Sequence, residues 1–130
     1  MGIKYLWDTN IAIYFLQKQF SPKAAQFIKG TLNDSLPSIS AITEIELLCW
    51  KNANEKDLVI LKNFIRDAWF FELENEIKIR TADIRKNHGI KLPDAIIAAT
   101  ALVNNLTLLT RNVADFKNIE ALDLIDPYEI

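Results

Sequence analysis

The chain has 130 residues, half of them hydrophobic and a quarter charged, and fifteen basic against seventeen acidic side chains leave a net charge of −2. That length is one domain's worth, so 1–130 reads as a single domain; the hydrophobic fraction excludes intrinsic disorder, and three Gly and four Pro exclude collagen-like and low-complexity chains. The charge excludes a bulk phosphate neutraliser, so nucleic acid would have to be handled locally, through a basic patch or bound metal.

Ile3 to Trp7 reads as a first strand, bounded by Asp8-Thr9-Asn10. Ile11 to Gln17 is apolar enough for a buried helix. Ser21 as N-cap and Pro22 at the first helical position open a helix to Lys29, which Gly30 ends. Leu36 to Ile39 is a short second strand, and Ser40 caps a helix from Ala41 to Trp50. Asn54 caps the next, to about Arg66, with Glu55 and Asp57 in its positive first turn. Trp69 to Phe71 is a third strand, and Glu74 to Lys86 a helix ended by Asn87-His88-Gly89. Pro93 opens a helix through Val103, closed by Asn104-Asn105. Leu106 to Thr110 is a fourth strand and Leu122 to Ile125 a fifth.

Strands separated by helices imply an α/β fold, a central mostly parallel sheet of about five strands with helices on both faces. Sites in such sheets form outside the carboxyl ends of the strands. That rule selects Asp8, Ser40 and Thr110-Arg111-Asn112.

Five acids stand near those ends. Asp8 follows a strand directly, where it is either a helix cap or an exposed site carboxylate. Glu44 and Glu46 border an apolar stripe made by Ala41, Ile42, Ile45, Leu48 and Cys49; one of them reaches a cleft while the other meets solvent, and periodicity does not say which. Asp94 sits in the first turn of an almost wholly apolar, Ala-rich helix, favoured there by the helix dipole. Asp115 follows the fourth strand, with Thr110 and Asn112 to supply hydrogen bonds. Clustered carboxylates repel one another unless a cation is present. Oxygen ligands without His or Cys suit Mg²⁺ or Mn²⁺ rather than zinc. Such ions serve phosphoryl hydrolysis. The residues therefore read as a metal-dependent phosphodiester or phosphate hydrolase.

Four segments in order resemble the PIN domain family and, within it, VapC-like toxin ribonucleases of toxin–antitoxin pairs. They are Tyr5 to Ile11, Ser38 to Leu47, His88 to Ala101 and Leu108 to Phe116. The third is the most specific, with an acid opening an Ala-rich helix. The resemblance places the second acid at Glu46, three residues after Thr43 and followed by Leu47, and makes Glu44 a neighbour. It implies that Asp8, Glu46, Asp94 and Asp115 hold one or two Mg²⁺ or Mn²⁺ ions and hydrolyse RNA. Thr9, Ser40, Thr110 and Asn112 would support those acids or contact phosphate. The resemblance leaves the fourth ligand as Asp115, Asn112, or both through water. The family also implies a homodimer and a cognate VapB-like antitoxin. A nuclease of this fold without an antitoxin, and a non-catalytic binding module, are the alternatives. A haloacid-dehalogenase-type phosphatase needs a second Asp two residues after the first, where Asn10 stands.

Between Lys78 and Lys91 five bases face one acid, Asp83, either as a solvated helix face or as an edge that holds RNA. His88 is expected at a helix terminus, and Cys49 in the core. Trp7, Trp50 and Trp69 are expected mostly in the core. A lone cysteine fits a reducing cytoplasm, and no apolar run approaches the ~18 residues of a membrane span. Asp8 and Asn10 break any signal-peptide core, and Leu6 occupies the position where a myristoylation motif needs Ser or Thr.

Overall fold

Five short strands pair in parallel in the order β3-β2-β1-β4-β5 in the computed structural model, which describes residues 2–130. Met1, the first residue of the expected 1–130 domain, lies outside the described residues. In chain order the elements are β1 (Tyr5–Trp7), α1 (Thr9–Leu16), α2 (Pro22–Asp34), β2 (Ser38–Ser40), α3 (Ala41–Leu48) and α4 (Glu55–Asp67). They continue with β3 (Trp69–Phe71), α5 (Asn75–Asn87), α6 (Leu92–Val103), β4 (Thr107–Leu109), α7 (Val113–Phe116) and β5 (Leu124–Ile125). The fold is α/β, as expected.

Register and side-chain alternation divide the core into two layers. Leu6 pairs with Leu108, and Leu108 with Leu124. These point to one face, where Ile77 and Ile84 of α5, the alanines of α6 and Phe116 of α7 cover them. One residue on, Trp7 pairs with Leu109, and Leu109 with Ile125. Together with Ile39 these face the opposite layer, packed against Ile11 and Leu16 of α1, Ile28 of α2, and Leu61 and Phe64 of α4. Period-two alternation thus feeds both faces of the sheet, which is why β1, β3 and β5 read as apolar runs, whereas β2 buries Ser38 and Ser40 on either side of Ile39.

Local capping sets most helix starts. Ser21 accepts from Ala24 N–H, Ser40 from Thr43 N–H, and Asn54 and Asp57 form a reciprocal capping box. His88 is the C-cap of α5, as expected. Asn105, in the left-handed region at φ 54°, ends α6. Gly30 does not end its helix: α2 runs through it to Asp34. The continuation is worth more than the stop because Thr31 is buried and donates to Ile28 O, and Leu32 packs on the core. Ser35 then closes the helix, its hydroxyl donating to Thr31 O. The short α7 was not expected; its apolar anchor is only Phe116, too little to show a period.

The sheet order places the site. The chain moves outward from β1 to β2 and β3, then returns through α5 and α6 to lay β4 on the other side of β1. The crevice between the carboxyl ends of β1 and β4 is the reversal point where α/β sheets bind ligands.

Candidate active site

Asp8 leaves β1 at that crevice and is the N-cap of α1, so the cap and the site carboxylate are one residue. It is 5% exposed. Oδ1 accepts from Thr9 N–H at 2.8 Å, and Oδ2 accepts from the Thr110 hydroxyl at 2.8 Å. The second bond spans 102 residues and ties the end of β1 to the end of β4. Thr110, itself fully buried, is fixed in turn by Asn112 N–H, which donates to its Oγ1 at 2.9 Å.

Glu46, not Glu44, faces the crevice. Its Oε1 accepts from the Thr9 hydroxyl at 2.7 Å. Behind it Ser40 Oγ donates to Thr43 Oγ1, and the Thr43 and Thr9 hydroxyls lie 2.8 Å apart. One proton per hydroxyl orders the whole chain: Ser40 donates to Thr43, Thr43 to Thr9, and Thr9 to Glu46. Ser40 is completely buried and reaches the cleft only through these hydroxyls. Thr43, absent from the expected site residues, is the link; its spacing of three from Glu46 on one helix was the available signal.

Those hydrogen bonds rotate α3. Its buried residues are Thr43 and Leu47. The apolar stripe read from the sequence is split: Ile42 packs against the core, while Ile45 is 56% and Leu48 63% exposed. Cys49 is exposed rather than in the core, at the C-cap of α3 and on the cleft wall. Of the tryptophans Trp7 is buried, Trp50 packs against the core, and Trp69 is half exposed.

One cleft is lined by Asp8, Thr9, Glu46, Asp94 and Asn112, together with Asn10 and Ile13, which the sequence reading did not select. A neighbouring cleft shares Asp94 and adds Asp115, His88 and Lys91. Asp94 stands in the first turn of α6, whose N-cap is Lys91, without a side-chain capping bond. Asp115 rides on α7, and its Oδ2 accepts from the Asn112 amide at 2.6 Å. Of the five bases between Lys78 and Lys91, Lys91 alone lines these two clefts, while Arg85 turns back to donate to Ile90 O.

The four acids share one electrostatic neighbourhood. Burial pushes the Asp8 carboxyl above its ordinary value; Thr110 and Thr9 pull it down, and Asp94 and Glu46 push it up again. Burial also raises Asp94, with Asp115 and Glu46 adding to the rise and Lys91 opposing it. The only ion pair among the described residues, Arg66 with Asp67, is elsewhere. The carboxylates therefore lack protein cations close enough to pair with them.

Among the described residues no three His, Cys, Asp or Glu side chains are drawn together tightly enough to enclose a metal ion. The donor set nevertheless fits Mg²⁺ or Mn²⁺. Mg²⁺ keeps several waters and is held by one or two carboxylates rather than by an all-protein cage. Mutually repelling, unpaired carboxylates are what such a cation relieves.

A family model described as the PIN domain matches residues 5–122. The tRNA(fMet)-specific endonuclease VapC of Salmonella typhimurium is 26% identical over 132 residues, covering 95% of this chain and 98% of that protein. A toxin–antitoxin complex from Klebsiella pneumoniae contains a chain 30% identical, with a TM-score of 0.76 over 98% of this chain and 100% of that one. The DNA-bound VapBC structure from Salmonella typhimurium superimposes with a TM-score of 0.82 at 23% identity, over 96% of this chain and 98% of that one.

Proposed function

The chain belongs to the PIN domain family, and from that premise we propose that it is a divalent-metal-dependent endoribonuclease, the toxin of a toxin–antitoxin pair. The observation that carries this reading is the meeting of Asp8, Glu46 and Asp94 in one cleft at the carboxyl edge of the sheet, with Asp115 next to it. The endonuclease and toxin–antitoxin relatives support the chemistry and the pairing.

In this reading Asp8, Glu46, Asp94 and Asp115 hold one or two Mg²⁺ or Mn²⁺ ions. Such an ion, when bound, activates water and neutralises charge developing at a phosphodiester. The protein's own work is positional. Thr9 and Thr110 fix the two oxygens of Asp8, the hydroxyl chain aims Glu46, and Asn112 holds Asp115. The partner surface for a VapB-like antitoxin and for a second copy draws on exposed apolar side chains, of which Ile45 and Leu48 on α3 are the most open near the cleft. The whole chain, 1–130, acts as one domain. No helix among the described residues is long and apolar enough to cross a membrane, and we place the protein in the cytoplasm with its RNA.

The test is cleavage of RNA by purified protein with Mg²⁺ or Mn²⁺, beside Asp8→Asn and Asp94→Asn. Asn keeps the shape and removes the charge. Activity that requires metal and disappears in both variants supports the reading. Activity that survives both overturns the site, and binding of RNA without any cleavage favours a binding module.

A further inference from the structure

Arg111 lies between two site residues, Thr110, which holds Asp8, and Asn112, which holds Asp115. Its guanidinium carbon sits 3.8 Å from the centroid of the Tyr128 ring and 5.8 Å from that of Tyr14. The two rings are part of a larger aromatic cluster. Tyr14 and Tyr128 meet at 6.2 Å, and Phe20 packs on both, at 6.4 and 6.1 Å. The Tyr128 hydroxyl also donates to Gln19 O, which ties the end of the chain to this corner. Tyr14 follows Ile13, a residue of the acid-lined cleft.

Stacking uses the face of a guanidinium and leaves the N–H groups around its edge free. Arg111 is exposed and has no acidic partner, the single ion pair among the described residues being that of Arg66 and Asp67. A planar cation of this kind, oriented by aromatic rings and unpaired at its edge, matches a phosphate group, which it can bind through two parallel hydrogen bonds. A site built from acids also needs positive charge nearby to retain a polyanion once its metal ions have offset the carboxylates.

We propose that Arg111, stacked on Tyr128 beside the acid cleft, binds a backbone phosphate of the RNA and so positions the strand for cleavage. The inference rests on the nuclease reading for the identity of the polyanion. It assigns Arg111 a binding role and gives Tyr14 and Tyr128 the role of orienting it.

The experiment measures anisotropy of a fluorescein-labelled single-stranded RNA, with Ca²⁺ as the cation, across a salt series. Arg111→Ala is expected to bind roughly five- to tenfold more weakly and to flatten the slope of log affinity against log salt by about 0.7. Arg111→Lys, which keeps the charge without the planar fork, is expected to recover the slope and only part of the affinity. Tyr128→Leu is expected to lose part of the affinity and keep the slope. Lys62→Ala, the same charge change on the outer face of α4, controls for net charge and is expected to bind as wild type. In cleavage assays with Mn²⁺ the Arg111→Ala loss should appear in KM, with kcat within about twofold. Equal binding and slope for Arg111→Ala and wild type overturn the inference, as does a loss confined to kcat, which would mean a structural role for the aromatic corner. Wild type that binds RNA with these slopes and cleaves nothing overturns the nuclease reading alone.

Discussion

Thr9 Oγ1 donates to Glu46 Oε1 at 2.7 Å, joining α1 to α3 across the mouth of the acid cleft. Thr9 also gives its backbone N–H to Asp8 Oδ1, so one residue sets the position of two carboxylates. Its hydroxyl is the last of an ordered chain that begins at buried Ser40. Replacing Thr9 with Val keeps the shape and the backbone bond but strands the Thr43 proton and frees Glu46. RNA cleavage is expected to fall about tenfold or more, while stability falls by roughly 1–3 kcal/mol, the cost of leaving a buried hydroxyl donor unpaired. Thr9→Ser should restore most of the activity. Single-turnover cleavage rates and thermal melts of the three proteins check this, and a Thr9→Val enzyme as active as wild type would sink it.

The charged form of Asp8 is disfavoured by its burial. Its folded carboxyl holds a proton to higher pH than the unfolded chain does, chiefly because it is buried. Between the two values the native state binds more protons, so stability falls as pH rises through that window. Asp8→Asn removes this dependence, keeps an oxygen for Thr9 N–H, and turns its amide towards the Thr110 hydroxyl. Without metal the variant is expected to melt above wild type at pH 7. The difference should close as the pH approaches about 4. Added Mn²⁺ should raise the wild-type Tm and leave Asp8→Asn nearly unmoved. Melting curves in chelator across pH decide it; a variant less stable at every pH would contradict the argument.

What could be read before the structure follows from which forces are local. Ser21, Ser40 and Asn54 were legible as caps because a cap is a bond between a side chain and backbone three residues away. Strands β1, β3 and β5 were legible because two-sided packing leaves an apolar run, while β2, Ser38-Ile39-Ser40, offers only its central Ile39. Asp8, Glu46, Asp94 and Asp115 were picked out by strand ends and by resemblance, but their meeting depends on β4 returning beside β1, which no local pattern encodes. The same limit explains the misread face of α3. Ile45, Leu48 and Cys49 are its most apolar side, yet the hydroxyl bonds of Thr43 to Ser40 and Thr9 turn that side to solvent. Gly30 carried a strong local stop signal, and burial of its neighbour Thr31 overrode it.

Gly30 makes that last point measurable. It lies inside α2 with no positive φ, and a Cβ added there would meet nothing within 4 Å. Alanine in a helix interior is favoured over glycine by roughly 0.5–1 kcal/mol. Gly30→Ala is therefore expected to raise Tm by a few degrees without changing RNA cleavage. A fall in Tm would mean that the helix does end near this residue in solution.

Asn112 and Asp115 offer two candidates for the fourth acid-side ligand, and their hydrogen bond separates the roles. Asn112 Nδ2 donates to Asp115 Oδ2 at 2.6 Å, while Asp115 N–H returns to Asn112 O at 3.2 Å. The pair is braced by Phe116, fully buried on the one turn of α7. Asp115 raises the Asp94 carboxyl, so the two charges feel each other across the shared wall of the clefts. An amide carrying no charge contributes little to holding a hard cation next to carboxylates. If Asn112 acts through Asp115, the two substitutions should not add. Asp115→Asn is expected to raise the Mn²⁺ concentration for half-maximal cleavage about tenfold, Asn112→Ala by less, and the double variant no more than Asp115→Asn alone. Independent ligands would instead give the product of the two single effects. Metal titrations of cleavage for the four proteins in this cycle distinguish one arrangement from the other.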